Sequence, residues 1–477
     1  KVGELDMAKP NIILINCDDL GYGDLGCYGS KVNETPNIDK LAEEGIKFTS
    51  FYMASPVCSP SRGGMLTGCY PPRIGFGSFD EDKVVLFPGS PTGLNQNEIT
   101  IADQLKQSGY TTKIVGKWHC GDQKEFLPTN YGFDSYYGLP YSNDMGRMII
   151  PDDMSGGTHV LDEDTKKIRE KFPPLPLIRD DEVIQEQPDQ CGLTERYVEE
   201  SVKFIRKNKD NSFFLYLAHM YVHLPLYAPE RFLRESKNGR YGAVVAGIDW
   251  ATSVIVDELK NLGIEENTLI IFTSDNGSNT RNNGSNAPLR DRKGTTWEGG
   301  QRVPCIMKWP KKIRSNSVSD QLVSSIDFLS TISSIVGVEV SKDRKIDSLD
   351  FSEIIYSPDS SESPRDYFFY YKQNNLEAVR NKKWKLHIQK NGKKIWELYD
   401  LENDMSEENN LYDEYPKIVK KLMEQIYLCI DDIGDDFSNI KGKNVRPPGK
   451  VENPIPLTAF DEKHPYYAPM YDLPEWG

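Results

Sequence analysis

Acidic and amide side chains occur in two adjacent pairs, and each pair directly follows a short apolar run. The runs are residues 11–16 and 268–273, and their β-branched residues are typical of buried strands. The pairs offer only oxygen ligands, which suit a hard divalent cation such as Ca²⁺ or Mg²⁺. A helix cap or a turn is the usual role of either pair alone, but two pairs at two strand ends favour a metal site. The four residues are Asp18, Asp19, Asp275 and Asn276.

A cysteine begins the run Cys58-Ser59-Pro60-Ser61-Arg62, which is predicted to precede a helix across residues 63–66. The helix dipole and Arg62 both favour negative charge there, so a reactive Cys58 is one interpretation. The other interpretation is a buried small hydrophobic residue, which is the usual environment of a free cysteine.

Basic and imidazole side chains follow two other predicted strands. Lys117 and His119 come after one of them, and His219 and His223 come after the other. Lysines can bind an anion, as can Lys293 further along the chain, and histidines can exchange protons near neutral pH. A lone lysine is usually solvated and a lone histidine is usually structural. The hypothesis that these residues bind an anion and exchange protons therefore depends on their position at strand ends.

The elements that must position these residues alternate between strands and helices. This alternation predicts an α/β fold with a largely parallel sheet covered by helices on both faces. Ligands of such sheets bind beyond the carboxyl ends of the strands, where all four groups of polar residues fall. Besides the two apolar runs, the predicted helices are residues 35–45, 100–107 and 241–262, and the predicted strands are residues 48–54, 111–115 and 213–218.

The pattern weakens after about residue 312, and residues 357–364 have the composition of a linker. Short alternating runs and one helix then predict a smaller C-terminal α+β domain. We therefore expect a larger domain at 1–360 and a C-terminal subdomain at 361–477. Residues 139–190 and the tail after residue 444 show little periodicity. The predicted strands are residues 367–371, 378–380, 384–389 and 395–399, and the predicted helix is near 415–429.

Composition and charge exclude several classes of protein. The 477 residues carry 57 basic and 72 acidic side chains, and the net charge of −15 argues against a nucleic-acid binder with a general basic surface. The longest uncharged stretch, residues 211–229, contains two prolines and two histidines, so we predict no membrane span. The eight cysteines are too dispersed for a disulfide scaffold or a zinc finger. The start at Lys1, without Met or an apolar signal region, suggests a mature or trimmed form.

Taken together, these motifs resemble those of the sulfatases of the alkaline phosphatase superfamily, most closely the arylsulfatase A and N-acetylgalactosamine-6-sulfatase branch. The run at 58–62 looks like the C-x-P-S-R signature of that family and continues through residue 68 as in the family. The resemblance also covers residues 16–24, 35–39, 116–119, 274–277 and 293–300 in the family order, with a weaker match at 378–411. It implies an alkaline phosphatase-like fold, a large mostly parallel sheet sandwiched by helices.

The resemblance implies that Cys58 is converted to Cα-formylglycine, whose hydrated aldehyde is the nucleophile. By position, Asp18, Asp19, Asp275, Asn276 and residue 58 would hold Ca²⁺, with Mg²⁺ as the alternative. The cation and Arg62 would then help to form and orient the gem-diol oxygen for in-line attack on sulfur.

The same resemblance assigns roles to the basic residues. Lys117 and Lys293 would bind the other sulfate oxygens, where fixed cations stabilise developing charge. His223, in the string His223-Leu224-Pro225, would protonate the leaving alcohol, and His119 would take the proton that regenerates the aldehyde. His219 departs from the family pattern and is expected to support the others indirectly.

Substrate recognition is assigned to fewer residues. Ser142, Asn143 and Asp144 resemble the family loop that faces the sulfated group, and His387 resembles a residue of the C-terminal strand that closes the pocket. Three arginines are candidates for a second anionic group of a polymeric substrate, although surface arginines are usually solvated. They are Arg147, Arg281 and Arg290.

The function implied is that of a sulfatase acting on a sulfated carbohydrate, such as a fragment of a glycosaminoglycan or an algal polysaccharide. One alternative is a phosphatase or phosphodiesterase of the same superfamily, which usually has a Ser or Thr nucleophile and two zinc ions. Another is a catalytically inactive protein that binds sulfated glycans. The expected partners are the sulfated carbohydrate and a formylglycine-generating enzyme, and the expected location is periplasmic, secreted or lysosomal.

Overall fold

The secondary structure follows from a computed structural model, which describes residues 9–147, 172–280, 282–464 and 466. None of the helices in this part of the chain has the length and apolar character that a bilayer span requires. The strands are β1 (Asn11–Cys17), β2 (Ile46–Phe48), β3 (Phe51–Tyr52), β4 (Thr92–Gly93), β5 (Thr111–Gly116), β6 (Ser135–Gly138), β7 (Pro176–Arg179), β8 (Glu182–Glu186), β9 (Phe213–Ala218), β10 (Thr268–Ser274), β11 (Cys305–Lys308), β12 (Ser317–Ser319), β13 (Val323–Ser324), β14 (Phe368–Lys372), β15 (Asn375–Arg380), β16 (Trp384–Lys390), β17 (Lys393–Asp400), β18 (Gly434–Asp435), β19 (Ile440–Lys441) and β20 (Gly449–Lys450). The α-helices are α1 (Pro36–Glu43), α2 (Cys58–Thr67), α3 (Ile101–Gln107), α4 (Leu193–Asn208), α5 (Glu230–Glu235), α6 (Gly239–Asn261), α7 (Glu298–Gln301), α8 (Phe328–Val336), α9 (Ser352–Tyr356) and α10 (Pro416–Ile433).

Ten strands make one sheet, in the order β12-β2-β11-β10-β1-β9-β5-β6-β7-β8. The central strands β10, β1, β9, β5 and β6 run parallel, and every residue of β1 is buried, as its apolar run predicts. The outer strands are antiparallel on both sides, apart from the parallel pair of β12 and β2. The predicted large α/β sheet is confirmed, and its outer strands make it mixed.

Side chains of β1 enter two separate cores. Ile12 and Leu14 pack on one face with residues of α2, α3 and α8, whereas Ile13 and Ile15 pack on the other with residues of α1, α4 and α6. Successive side chains of a strand point to opposite faces of the sheet. The helices therefore cover both faces, as predicted.

Register brings the ends of the parallel strands to one level. Cys17 of β1 is opposite Ser274 of β10, and Asn16 is opposite Ala218 of β9. Ala218 is in turn opposite Gly116, the last residue of β5. The residues that follow these four strands must therefore meet at one edge of the sheet.

The structure differs from the sequence-based expectations in three local features. Residues 139–190 contain the hairpin of β7 and β8. The sequence shows little periodicity there because the edge strand β8 mixes charged and apolar residues and stays largely accessible. The predicted strand at 48–54 is divided, since β2 and β3 belong to different sheets. Helix α2 begins at Cys58 itself and is buried along its whole length.

The C-terminal part contains the four-stranded antiparallel sheet of β14 to β17, against which α10 packs. Both match the predicted α+β pattern. The chain then returns to the amino-terminal part, where β20 pairs with β4 and the Arg446 N–H donates to the Arg73 carbonyl oxygen at 2.6 Å.

One buried carboxylate, Glu298 of α7, connects β3 with the C-terminal sheet of β14 to β17. Glu298 accepts hydrogen bonds from Tyr52 and, at 2.6 Å, from Tyr370, and it lies 2.9 Å from Lys385 Nζ and 3.2 Å from Arg302 Nη1. Burial alone would raise the pKa of Glu298, but Lys385 and Arg302 hold it well below its usual range. We call these five residues the Glu298 network.

Replacing Glu298 by Gln should destabilise the protein by about 3–5 kcal/mol, because buried Lys385 and Arg302 would lose their shared counter-charge. The shift of the denaturant midpoint, followed by tryptophan fluorescence, measures this loss. Glu199→Gln is the control, since Glu199 pairs with Lys203 on an exposed helix face and should cost less than about 1 kcal/mol. Equal midpoints for the two variants would contradict the role of the Glu298 network.

Candidate active site

Oxygen ligands from two strand ends meet at the carboxyl edge of the large sheet. One carboxylate oxygen each from Asp18, Asp19 and Asp275 and the sulfur of Cys58 lie within 4.8 Å of one another. Asn276 joins them, because its Nδ2 donates to Asp19 Oδ1 at 2.8 Å. All five side chains are buried, and we call them the acidic cluster.

The donor set of the acidic cluster fits a hard divalent cation. Its carboxylate and amide oxygens are the ligands that Ca²⁺ and Mg²⁺ prefer. Asn276 Oδ1 is buried and accepts no hydrogen bond from any described residue, which is unusual for an amide oxygen. A bound cation would satisfy that oxygen and would reduce the repulsion among three neighbouring carboxylates.

Two buried cationic side chains, Arg62 and Lys117, contact the acidic cluster. Arg62 Nε donates to Asp275 Oδ2 at 2.9 Å, and its Nη1 donates to the Lys117 carbonyl oxygen at 3.0 Å. Lys117 Nζ contacts Asp18 directly. Burial alone would raise the pKa of Asp18, but Lys117 and other neighbouring cations hold it well below its usual range. Burial and the adjacent Asp18 instead raise the pKa of Asp275 to about 6.

A third cation approaches from the open side of the site. Lys293 Nζ lies 2.6 Å from Asp19 Oδ1 and 3.4 Å from Cys58 Sγ, and its side chain is 17% exposed. The three aspartates carry −3 and the three cations carry +3, so the fixed charges of these six residues cancel. Such a site can take up a divalent cation and an anion together without a large net charge.

The thiol of Cys58 is not set up as a thiolate nucleophile. It donates to Asp18 Oδ1 at 3.4 Å, and burial together with Asp18 raises its pKa far above its usual range. A thiolate requires the opposite shift. Cys58 lies at the start of α2 and beside Lys293, a position that favours a negatively charged group other than a thiolate.

Two histidines of the candidate site differ in their exposure to solvent. His223 Nε2 is 4.0 Å from Asp19 Oδ2, its Nδ1 is 2.6 Å from the Leu224 carbonyl oxygen, and its side chain is 13% exposed. His119 is buried, and its Nε2 lies 3.0 Å from the Leu86 carbonyl oxygen.

His219, the third histidine after a strand, is buried, and neither of its ring nitrogens has a partner among the described residues. Burial lowers its pKa to about 4, so His219 is neutral at physiological pH.

Sequence reasoning did not single out Asp24, which connects the loop after β1 to the loop that carries Lys293. Its carboxylate accepts from the Gly21 N–H at 2.7 Å and from the Ser285 N–H at 2.8 Å. A Cβ on Gly21 would lie 2.2 Å from the Ser285 carbonyl oxygen, so only glycine permits this contact. The signal was available in the Gly-Tyr-Gly-Asp spacing at 21–24.

The residues predicted to bind substrate lie near the site but outside the acidic cluster. Asn143 is buried, and its Nδ2 donates to Gln190 Oε1 at 2.9 Å and to the Pro225 carbonyl oxygen at 3.0 Å, which fixes the loop after His223. Ser142 is buried beside it, and Asp144 is partly buried. A substrate contact by these three residues stays a prediction.

His387 lies beneath Trp297, with ring centroids 4.4 Å apart, and its Nε2 is 2.7 Å from Glu407 Oε1. Of the candidate arginines, Arg290 stacks on the face of Trp297 at 3.6 Å, and Arg147 lies 3.4 Å from the ring centroid of Phe460. Arg281 lies outside the described residues. The roles of His387 and the arginines in binding therefore also stay predictions.

Comparisons with known proteins agree over most of the chain. A family model described as Sulfatase matches residues 10–338, and one described as N-sulphoglucosamine sulphohydrolase, C-terminal matches residues 291–431. The N-acetylgalactosamine-6-sulfatase of Rattus norvegicus is 39% identical over 396 residues, which cover 80% of this chain and 71% of that protein.

Solved structures show the same similarity. The structure of Ps i-CgsB in complex with k-i-k-neocarrahexaose has a TM-score of 0.75 and 31% identity, and it covers 88% of this chain and 92% of its own. The PsFucS1 sulfatase from Pseudoalteromonas sp. has a TM-score of 0.76 and 28% identity, with 88% and 90% of the two chains covered.

Replacing Asp275 by Ala should abolish stoichiometric binding of Ca²⁺ or Mg²⁺, because it removes one of three carboxylates that a hard cation needs here. Elemental analysis of dialysed protein and calcium titration calorimetry measure this. Asp249→Asn is the control, because Asp249 is a buried carboxylate that accepts hydrogen bonds from the first turn of α1. A folded Asp275→Ala protein with wild-type metal content, or stoichiometric zinc in the wild type, would contradict the proposed ligand set.

Proposed function

The chain belongs to the sulfatase family, and from that premise we propose that it hydrolyses sulfate esters on a carbohydrate through residue 58 and a divalent cation. The observation that carries this proposal is the position of Cys58, at the start of buried helix α2 and in contact with both Asp18 and Lys293. Relatives named for N-acetylgalactosamine-6-sulfate, and a related structure that contains a carrageenan oligosaccharide, support a glycosaminoglycan or algal polysaccharide fragment as substrate.

We propose that Cys58 is converted to Cα-formylglycine by a formylglycine-generating enzyme. The hydrated aldehyde supplies a hydroxyl nucleophile that can be regenerated. Burial and Asp18 raise the pKa of the Cys58 thiol, which would make the unmodified side chain a poor nucleophile and favours a hydroxyl nucleophile at this position. Arg62, which donates a hydrogen bond to Asp275, would help to orient the reacting oxygen.

The proposed cation is Ca²⁺, with Mg²⁺ as the alternative, held by Asp18, Asp19, Asp275, Asn276 and residue 58. When bound, it supplies Lewis acidity. The balanced charges around the acidic cluster support joint binding of this cation and a sulfate group.

Lys117 and Lys293 would stabilise the charge that develops on the sulfate oxygens. Both lysines are already fixed by aspartates, so their charges need little reorganisation when substrate binds. Lys293 approaches from the more open side and Lys117 from the buried side, which would place the sulfate group between them.

The two histidines would divide the proton transfers. His223 Nδ1 donates to the Leu224 carbonyl oxygen, which leaves Nε2 as the atom that can give a proton to the leaving alcohol. Its partial exposure supports contact with the alcohol of the substrate. His119 is deeper and would act as the base that completes turnover.

Residues around these groups would select the carbohydrate. We propose that Ser142, Asn143, Asp144 and His387 line its subsites, and that residues 1–360 form the catalytic domain while residues 361–477 complete the pocket. The Glu298 network supports this division, since it connects the loop of Trp297 to the C-terminal sheet. Because sulfated glycans lie outside the cytoplasm, a periplasmic, secreted or lysosomal location is proposed.

The proposal is tested by sulfate release from defined sulfated mono- and oligosaccharides and from nitrophenyl sulfate, measured by ion chromatography. Activity should rise in proportion to the formylglycine content of residue 58, measured by peptide mass spectrometry across preparations, and Cys58→Ala should be inactive. Cys191→Ala is the control, because Cys191 is a partly buried free thiol outside the acidic cluster. A fully active preparation that contains only unmodified Cys58 would end this mechanism.

His223→Ala should slow the hydrolysis of sugar sulfates about 10²- to 10⁴-fold more than that of nitrophenyl sulfate, whose phenolate leaves without a proton. His119→Ala should impair both substrates equally and stall the enzyme after one turnover, because the base is needed whatever alcohol has left. Steady-state and single-turnover rates on both substrates measure the difference. If His119→Ala shows the dependence on the leaving group and His223→Ala does not, the two roles are reversed.

A further inference from the structure

The surface loop of residues 84–90, directly before β4, contributes one backbone atom to the candidate site. Most of residues 84–90 are accessible, but Leu86 is buried and its carbonyl oxygen lies 3.0 Å from His119 Nε2. A carbonyl oxygen only accepts hydrogen bonds, so the Nε2 atom of His119 carries the proton. The other nitrogen, Nδ1, is buried and has no partner among the described residues, and it is therefore the atom with a free lone pair.

Two buried side chains hold this loop against His119. The Leu86 N–H donates to Ser59 Oγ at 3.1 Å, and the Gly89 N–H donates to Asp122 Oδ2 at 2.6 Å. Ser59 follows Cys58 in α2 and is fully buried, and Asp122 is 3% exposed. Each anchor therefore belongs to a segment that carries a group of the candidate site.

These contacts form a chain from the nucleophile position to the base. Ser59 is fixed by α2, Leu86 bonds Ser59 through its N–H and His119 through its carbonyl oxygen, and Asp122 stands three residues after His119. Burial and Lys117 hold the pKa of His119 well below its usual range, and the hydrogen bond to Leu86 partly opposes them. A proton accepted at Nδ1 thus produces an imidazolium whose Nε2–H already has an acceptor.

We propose that Ser59 and Asp122 are positioning residues that hold the Leu86 carbonyl oxygen against His119 and keep it as the Nε2–H tautomer, with Nδ1 as the basic atom. The proposal rests on the proposed function, in which His119 is the base of turnover. It adds a role for the second residue of the Cys58-Ser59-Pro60-Ser61-Arg62 run and for a backbone carbonyl far from it in sequence.

The tautomer can be measured directly by NMR of the full-length, metal-loaded protein labelled with ¹⁵N-histidine. The spectrum of the His119→Ala protein identifies the His119 signals. The wild type should show a protonated Nε2 and an unprotonated Nδ1, and Ser59→Ala should shift both signals toward the average of two tautomers. An Nδ1–H tautomer in the wild type, or a spectrum unchanged by Ser59→Ala, would overturn the proposal. This measurement does not depend on turnover, so it is separate from the test of sulfatase activity.

Kinetics provide the second measurement. Ser59→Ala and Asp122→Ala should each lower kcat by about 10- to 100-fold, because a misplaced base loses its geometry, with KM nearly unchanged. The loss should be equal for sugar sulfates and nitrophenyl sulfate. Rates must be normalised to the formylglycine content of residue 58, since Ser59 adjoins the modified residue.

Conservative variants distinguish positioning from general stability. Asp122→Asn and Ser59→Thr keep an oxygen acceptor and should recover most of the kcat that the alanine variants lose. Ser90→Ala is the matched control in the same loop, because Ser90 Oγ bonds Asp80 and not the Leu86 segment. If Asp122→Asn loses as much as Asp122→Ala, or Ser90→Ala as much as Ser59→Ala, the positioning role is wrong.

Discussion

The burial of three aspartates side by side is the constraint on which the rest of the site depends. Carboxylates removed from water are costly unless each is paired, and Asp18, Asp19 and Asp275 also repel one another. The register of the strands provides the pairing: β1 and β10 end at one level, and β5, on the other side of β9, ends at the same level and is followed by Lys117. Arg62 contacts Asp275 because α2 begins at Cys58, next to Asp18, and Arg62 lies one turn further along the helix. The sheet, the helix and the cations are therefore parts of one electrostatic arrangement, which a divalent cation would complete.

The loop that carries Lys293 is positioned by close backbone contact and not by an apolar core. Asp24 accepts from the Ser285 N–H, the Gly23 N–H donates to the Ser285 carbonyl oxygen, and a side chain on Gly21 would collide with that oxygen. The loops after β1 and β10 thus come together only if the first is rich in glycine. This explains the glycines at positions 21 and 23, whose Cβ atoms would meet the backbone of residues 285 and 287.

Sequence reasoning found what periodicity and residue chemistry encode. The apolar runs of β1 and β10 are buried on both faces, and such runs have few alternative structures, so the acidic cluster could be predicted from their ends. The hairpin of β7 and β8 could not be, because an edge strand such as β8 mixes polar and apolar residues without a clear period. Asn143 is predicted to contact substrate, and that role stays a prediction, but the bonds of its amide to Pro225 and Gln190 are long-range contacts that local sequence does not reveal. The Leu86 carbonyl oxygen has no residue-type signal at all, since every residue has one.

Depth in the structure separates the chemistry of the two histidines. Burial and Lys117 hold the pKa of His119 well below its usual range, so this imidazole is neutral at physiological pH. His223 is instead partly exposed, and its Nε2 lies 4.0 Å from Asp19 Oδ2. In both rings one nitrogen is directed at a backbone carbonyl oxygen, so only the other nitrogen is available for chemistry. The backbone carbonyl oxygens thereby fix which nitrogen of each ring carries a proton, and the other nitrogen is the one that would serve in the proposed proton transfers.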